Sequence, residues 1–554
     1  MPKLPITRRN GYVLAGLTTF VLVLGAVHQS MLYVFPVNSV PGFIPVSEAE
    51  RAALAAPDTK ARPPADTPTV DALLAQIAAQ ELRPWPEGDK GHSPRTLVAR
   101  YMTGWEAAPL NEYVLGAEQI RGMGSTWTFH YGDHDFGTAW LTVLLYQAPA
   151  RLSPAAEQHL LEELLPVEGP GPDLIVPRSL GAVFDTENHV LMVETTRYLK
   201  NQYLRAQGNP DPRYDNEANG MTDWILGYLK HLREDGMFEF NSLPYEGYAI
   251  SPILSLESFA EPPEVAGMAR ALLDELAWET SRRTLDYRQW GPFRRQLGYL
   301  GRTSLHHHSM PAFMRLWGAP PEGAAIEIPH RRDHAAGGAM RSYRPPLSTL
   351  AWAKEKPAHY YLRRAHVPNG SPELLSGGPG YLLTAGGVWR GAWNRVVPRP
   401  TLLMLNDGAD DAMQCVHLPA GGDVRRQNNT GVWARFAVAE GPVHVPADWT
   451  PVRTAGAFAA YQPAPGDAPA VVVYSTPEVG AVWLAPERDA EAALTLVRAS
   501  NTAEALATRA VTLDATTLTY DLDARHHLWV IQSVDGVTVQ RRHAGWPTVL
   551  TPVQ

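Results

Sequence analysis

Between residues 70 and 320 the apolar positions recur at helical spacing. Leu73, Leu74 and Ile77 begin the series, and similar stripes fill 138–147, 154–165, 187–204, 217–232 and 263–279. This is the period of helices that bury one face. Turn-forming runs such as Gly208-Asn209-Pro210-Asp211-Pro212 separate them. Roughly ten helices of ordinary length joined by loops predict an antiparallel array of helical hairpins. No repeat of fixed period marks a solenoid.

Past a linker at 321–339, rich in proline, glycine and charge, the pattern changes to short apolar runs at 401–405, 471–474, 494–497 and 527–531. Glycine, proline, asparagine and aspartate punctuate them, which predicts antiparallel sheet over 340–554, arranged as a sandwich.

The other end of the chain reads differently. Lys3, Arg8 and Arg9 precede an apolar run over 11–27, with a second apolar patch at 31–37. Basic residues followed by an apolar run mark an export signal. Residues 1–35 are expected to be a cytoplasmic tip and signal anchor, a transmembrane helix by which the protein meets the membrane. A cleaved signal peptide is the rival, but the small-x-small pattern it needs is poorly matched at 24–28. The body then lies outside the cytoplasm, in the periplasm or at the cell surface, and would be secreted if the segment were removed. Residues 36–69, dense in proline, are expected to be a linker. The expected fold class is α+β and multidomain: a membrane segment, a helical domain over 70–320 and a sheet domain.

Composition narrows the function. Cys415 is the only cysteine of 554 residues, so no intramolecular disulfide forms. A net charge of −9 argues against general nucleic-acid binding. The chain has no phosphate-binding loop, no zincin H-E-x-x-H, no nucleophile-elbow G-x-S-x-G and no strand-led G-x-G-x-x-G.

Four stretches carry polar and aromatic residues where plain helices need neither. In the first, Asp185 or Thr186 caps a helix whose first turn holds Glu187, Asn188 and His189. The second, 238–248, brings Glu239, Asn241, Tyr245, Glu246 and Tyr248 onto an irregular connection. The third, 282–308, holds Arg282, Arg283, Arg288, Arg294, Arg295 and Arg302 and ends in His306-His307-His308. It reads as a grip for carboxylates or as a face of ordinary ion pairs. The fourth, 127–135, mixes Trp127, His130, His134 and Asp135 and reads as a sugar-contacting wall or a metal site. No diagnostic ligand spacing completes a metal set, and no metal is expected.

The run Thr186-Glu187-Asn188-His189, with Tyr198-Leu199 on the same helix, and the run Glu239-Phe240-Asn241-Ser242-Leu243-Pro244-Tyr245 resemble heparinase and alginate lyase-like polysaccharide lyases. The resemblance implies an (α/α) toroid followed by antiparallel sheets, and cofactor-free β-elimination on an acidic polysaccharide or oligosaccharide that contains uronic acid. In such enzymes the uronate carboxylate is neutralised, the C5 proton is removed and the departing oxygen is protonated. Here Asn188 and His189 would neutralise, or His189 would be the base, and Tyr245 would be base or acid. Asn241, Tyr248, Arg294, Arg295, Arg302, His130 and Trp127 would hold substrate. Two alternatives stay open. An inverting glycoside hydrolase would pair Glu187 or Asp185 with Glu239 at roughly 6.5 to 9.5 Å. A non-catalytic glycan-binding or envelope-assembly protein would use the same cleft only to hold a polymer.

Overall fold

The computed structural model describes residues 15–27, 42–64, 68–84, 92–118, 135–174, 184–237, 239–242, 245–293, 304–306, 308–318, 334–366, 371–387, 400–420, 428–463, 468–486, 488–513, 515–525 and 527–552. Its helices come first: α1 (15–27), α2 (Glu48–Leu54), α3 (Pro68–Ala78), α4 (His92–Met102), α5 (Ala107–Leu115), α6 (Asp135–Gln147) and α7 (Pro154–His159). They continue with α8 (Glu187–Ala206), α9 (Met221–Asp235), α10 (Glu246–Phe259), α11 (Pro263–Arg283), α12 (Ser309–Arg315), α13 (His334–Ala339) and α14 (Leu347–Lys354). α10 is wrapped by α6, α8, α11, α12 and α13. Its Ile250, Ile253, Leu254 and Leu256 are buried accordingly.

Residues 42–64, part of the expected linker, lie along the helical body. Ser47 and Glu50 form a capping box that starts α2. The approach is close because two glycines permit it: a side chain on Gly227 of α9 would meet the ring of Phe43, and one on Gly267 of α11 would meet the Leu54 carbonyl. Arg62 clamps the segment with a two-pronged ion pair to Asp274 of α11, both contacts at 2.9 Å.

The strands form three antiparallel sheets. The first contains β1 (Tyr360–His366), β2 (Ser371–Gly378), β3 (Tyr381–Gly386), β4 (Thr401–Leu405) and β5 (Val416–Leu418). The second contains β6 (Val432–Trp433), β7 (Phe436–Glu440), β8 (Arg453–Ala455), β9 (Phe458–Tyr461), β10 (Ala470–Ser475) and β11 (Val479–Ala485). Two helices follow, α15 (Ala490–Ser500) and α16 (Ala503–Ala507). β12 (Ala510–Leu513), β13 (Thr516–Tyr520), β14 (Ile531–Val534) and β15 (Val537–Thr538) make the third sheet, while β16 (Val549–Pro552) returns to the edge of the first beside β1.

The first sheet is the middle layer. Leu362, Leu375, Leu382, Leu402 and Met404 face a cluster with Leu285, Trp290 and Phe293 of the connection after α11. Their neighbours Tyr361, Leu374, Leu383, Leu403 and Leu405 face the core shared with the second sheet. Successive side chains point to opposite faces, and here both faces are apolar.

Three expectations are corrected. No membrane-spanning helix is found where one was expected: the described residues of α1 number 13, about 20 Å at the helical rise against a hydrocarbon layer of about 30 Å. No helix among the described residues is long and apolar enough to cross a membrane. The β half is three sheets with helices inserted, rather than one sandwich. The run at 494–497, expected as a strand, lies on α15, where Ala490, Ala493, Leu494 and Val497 recur at helical spacing on the buried face.

A buried charge network joins the halves. Antiparallel register sets Arg364 of β1 opposite Glu373 of β2, and their side chains pair at 2.6 Å. Arg283, at the end of α11, pairs with both Glu373 and Glu279, Arg364 also reaches Glu279, and His366 meets Glu373 at 2.8 Å. Burial alone would raise the Glu373 carboxyl, but Arg364 and then His366 outweigh it and hold the group at about 2, against 4.5 unperturbed. The folded value lies below the unfolded one, so this stabilisation is complete above about pH 4.5 and is lost as pH falls toward 2. Glu373→Gln, which strands two buried guanidinium groups, is expected to cost about 3–5 kcal/mol. Urea unfolding at neutral pH measures it, and the variant should also lose part of the wild-type decline in stability on acidification.

Candidate functional site

Helices α6, α8 and α10 begin at the same end of the helical half, and their first turns meet. Asp135 opens α6, Glu187-Asn188-His189 opens α8, and Tyr245 precedes Glu246 at the start of α10. His189 Nδ1 lies 2.5 Å from Asp135 Oδ2. An ionised carboxylate only accepts, so Nδ1 carries the proton, and when the ring is neutral its lone pair lies on Nε2. The Phe136 ring stands edge-on between His189, at 5.5 Å, and Tyr248, at 4.3 Å. Tyr245 lies one helical turn before Tyr248, with the two rings 6.4 Å apart. Each of the three first turns carries an acid, Asp135, Glu187 and Glu246, as suits a helix N-terminus.

Exposure sorts the expected residues into two groups. His189, Tyr245 and Tyr248 are partly exposed, whereas Glu187, Asn188, Glu239 and Asn241 are buried. Glu187 accepts a hydrogen bond from the backbone N–H of Glu239, which joins the two motifs. Asn188 accepts from the Thr186 hydroxyl. Asn241 sits in the left-handed region, φ 48°, which asparagine tolerates. Its Nδ2 donates to the Pro292 carbonyl at 3.0 Å. These four residues support the three that face outward. Asn188 Nδ2 and Asn241 Oδ1 are buried without a hydrogen-bond partner among the described residues, an arrangement that is costly unless a polar group meets them.

Two described arginines of the 282–308 stretch are engaged within the protein. Arg283 is held in the buried network, and Arg288 donates to the carbonyls of Ala409 and Leu405 at 2.6 and 2.7 Å. Trp127, His130, Arg294, Arg295 and Arg302 lie outside the described residues, as does His307. His306 pairs with Asp410, and His308 is buried against Glu246 at 3.2 Å. Among the described residues no three His, Cys, Asp or Glu side chains gather as a metal site.

Two participants carried only weak signals in the sequence. Asp135 was the last polar residue before an apolar run, and nothing along the chain pairs it with His189, 54 positions away. Glu246 stands in the stretch read as an irregular connection, where nothing along the chain marks it for burial. Burial, with the charge of Glu279 adding to it, pushes its carboxyl up to about 8, against a hydrogen bond from the Asn241 backbone.

No known protein family, no curated protein and no solved structure matches the chain. The site therefore rests on its own geometry.

Glu246 gives a test of that geometry. Its folded value, about 8, lies above its unfolded 4.5, so the native state holds the extra proton between them and stability falls as pH rises through that window. Glu246→Gln, which keeps the shape of the neutral acid, is expected to flatten this part of the curve. Thermal melting across neutral pH should show a smaller decline in the variant than in the parent.

Proposed function

We propose that this chain is a polysaccharide lyase that cleaves a uronic-acid-containing polymer by β-elimination. The observation that carries the proposal is the His189–Asp135 pair, 2.5 Å apart, with the partly exposed Tyr248 across the Phe136 ring and Tyr245 one turn before it. Asp135 fixes the imidazole tautomer and stabilises the imidazolium that forms when Nε2 takes a proton. In the proposed reaction His189 Nε2 removes the C5 proton. Those electrons form the C4–C5 double bond, the C4–O bond breaks, and the Tyr245 hydroxyl protonates the departing oxygen. In this reading Arg294, Arg295 or Arg302 would hold neighbouring carboxylates of the polymer. The basic-then-apolar start of the chain fits export to where such polymers are met.

The hydrolase alternative is less well supported. An inverting pair needs two carboxyl groups facing a sugar and a water. Glu187 is 6 % exposed and Glu239 2 %, and Glu187 is engaged with the Glu239 backbone. Asp185 is partly exposed, but either pairing needs the buried Glu239.

Incubation with a panel of uronate polymers should give an unsaturated product that absorbs in the ultraviolet. A hydrolase would release reducing ends without it. His189→Ala and Tyr245→Phe should abolish turnover with polymer binding retained, and Asp135→Asn should slow it by about 10²–10⁴. Full activity in the first two variants would remove His189 and Tyr245 from the chemistry.

A further inference from the structure

A second cleft opens in the sheet half, away from the His189 chemistry. It has a volume of about 530 Å³ and lies between the turn after β4, the loop ahead of β8 and the end of β9. Trp449 and Tyr461 line it with Asp407, Gln414, Asp448 and Gln462. The two rings lie 5.7 Å apart at 48° and are half-buried, so each offers part of its surface to the cleft. Asp448, Gln414 and Gln462 are exposed on the rim.

We propose that this cleft binds a pyranose sugar that carries no carboxylate. The volume falls within the usual range of small-molecule sites, about 300–1,000 Å³, and the lining is mostly polar around the Trp449 and Tyr461 rings, as suits a ligand rich in hydroxyls. A pyranose has the matching character: the C–H groups of one ring face lie against an aromatic ring, while the equatorial hydroxyls reach carboxylate and amide groups at its edge. Charge selects among sugars. No lysine or arginine occurs among the described lining residues, and Asp448 contributes a negative charge. A uronate would enter against repulsion and without a partner.

Asp407 does not make the cleft a cation site, because its carboxylate faces Arg288 at 3.6 Å and accepts from the Ala409 backbone at 3.0 Å. The same Arg288 holds the Ala409 carbonyl. Four residues further on, the Pro292 carbonyl receives Asn241 of the helical site. Four extended residues reach at most about 14 Å, so a single short segment braces both places. The cleft is thus suited to hold a carboxylate-free unit of a glycan, and this stands whether or not the lyase reading does.

The test uses the full chain and calorimetric titration with cellohexaose, mannohexaose and chitohexaose, with hexagalacturonate as the carboxylate-bearing counterpart. At least one of the first three is expected to bind. Trp449→Ala and Tyr461→Ala should each weaken it about tenfold or more. Gln462→Ala, on the exposed rim, should weaken it several-fold with an unchanged far-UV spectrum, and this variant carries the test if Trp449→Ala unfolds. His189→Ala should leave this binding intact while its elimination activity is followed separately, so failure of one reading is distinguishable from failure of the other. Binding of none of the three sugars, unchanged affinity in the cleft variants, or hexagalacturonate binding that is equally lost in Trp449→Ala would overturn the proposal.

Discussion

Two guanidinium groups and the Glu373 carboxylate, buried where α11 meets β1 and β2 beside the partly buried Glu279, set the relation between the two halves. Glu373 is 0 % exposed and Arg283 2 %. Removing such groups from water is costly, and they are tolerated only when each charge is met by opposite charge in good geometry. Arg364 and Arg283 converge on Glu373 from the sheet and from the helix, and Glu279 completes the square. An apolar interface would accept small slips between the layers. This one does not, because a slip by one residue would move Arg364 to the other face of the sheet and leave Glu373 with less compensation.

The consequence reaches the candidate site through a ring. His366, hydrogen-bonded to Glu373, stacks on Phe240 with centroids 3.5 Å apart and planes 5° from parallel. Phe240 lies between Glu239, whose N–H is held by Glu187, and Asn241, which is pinned to Pro292. Residues 239–241 are thereby held from both halves. The negative charges of Glu279 and Glu373 also help to keep the Glu246 carboxyl protonated. The sheet half thus acts on the site without supplying one of its reacting groups.

The sequence was informative where a physical requirement repeats along the chain. Amphipathic stripes gave α6, α8, α9 and α11, since a helix buries one face at every turn. The same rule misplaced 494–497, where a short apolar run does not distinguish a strand from the buried side of α15. The middle sheet gave little alternation because both faces are covered, so Leu402 to Leu405 reads as unbroken apolar sequence. The motif at 187–189 and the aromatic run ending at Tyr248 were legible as polar and aromatic residues placed where helices do not require them. Their division of labour was not, because exposure is a property of the packed chain: Asn188 and Asn241 look as suited to substrate as His189, yet both are fully buried.

By itself, then, the sequence determined the succession of helices followed by sheets, the absence of any intramolecular disulfide and the two stretches from which the candidate site is built. These depend on residue type and local spacing. The tertiary structure decided that Asp135 orients His189 and that Arg283 and Arg288 of the 282–308 stretch answer to carboxylates and carbonyls within the protein. Those outcomes depend on which distant residues meet and on how much water remains around them, and no local pattern encodes either.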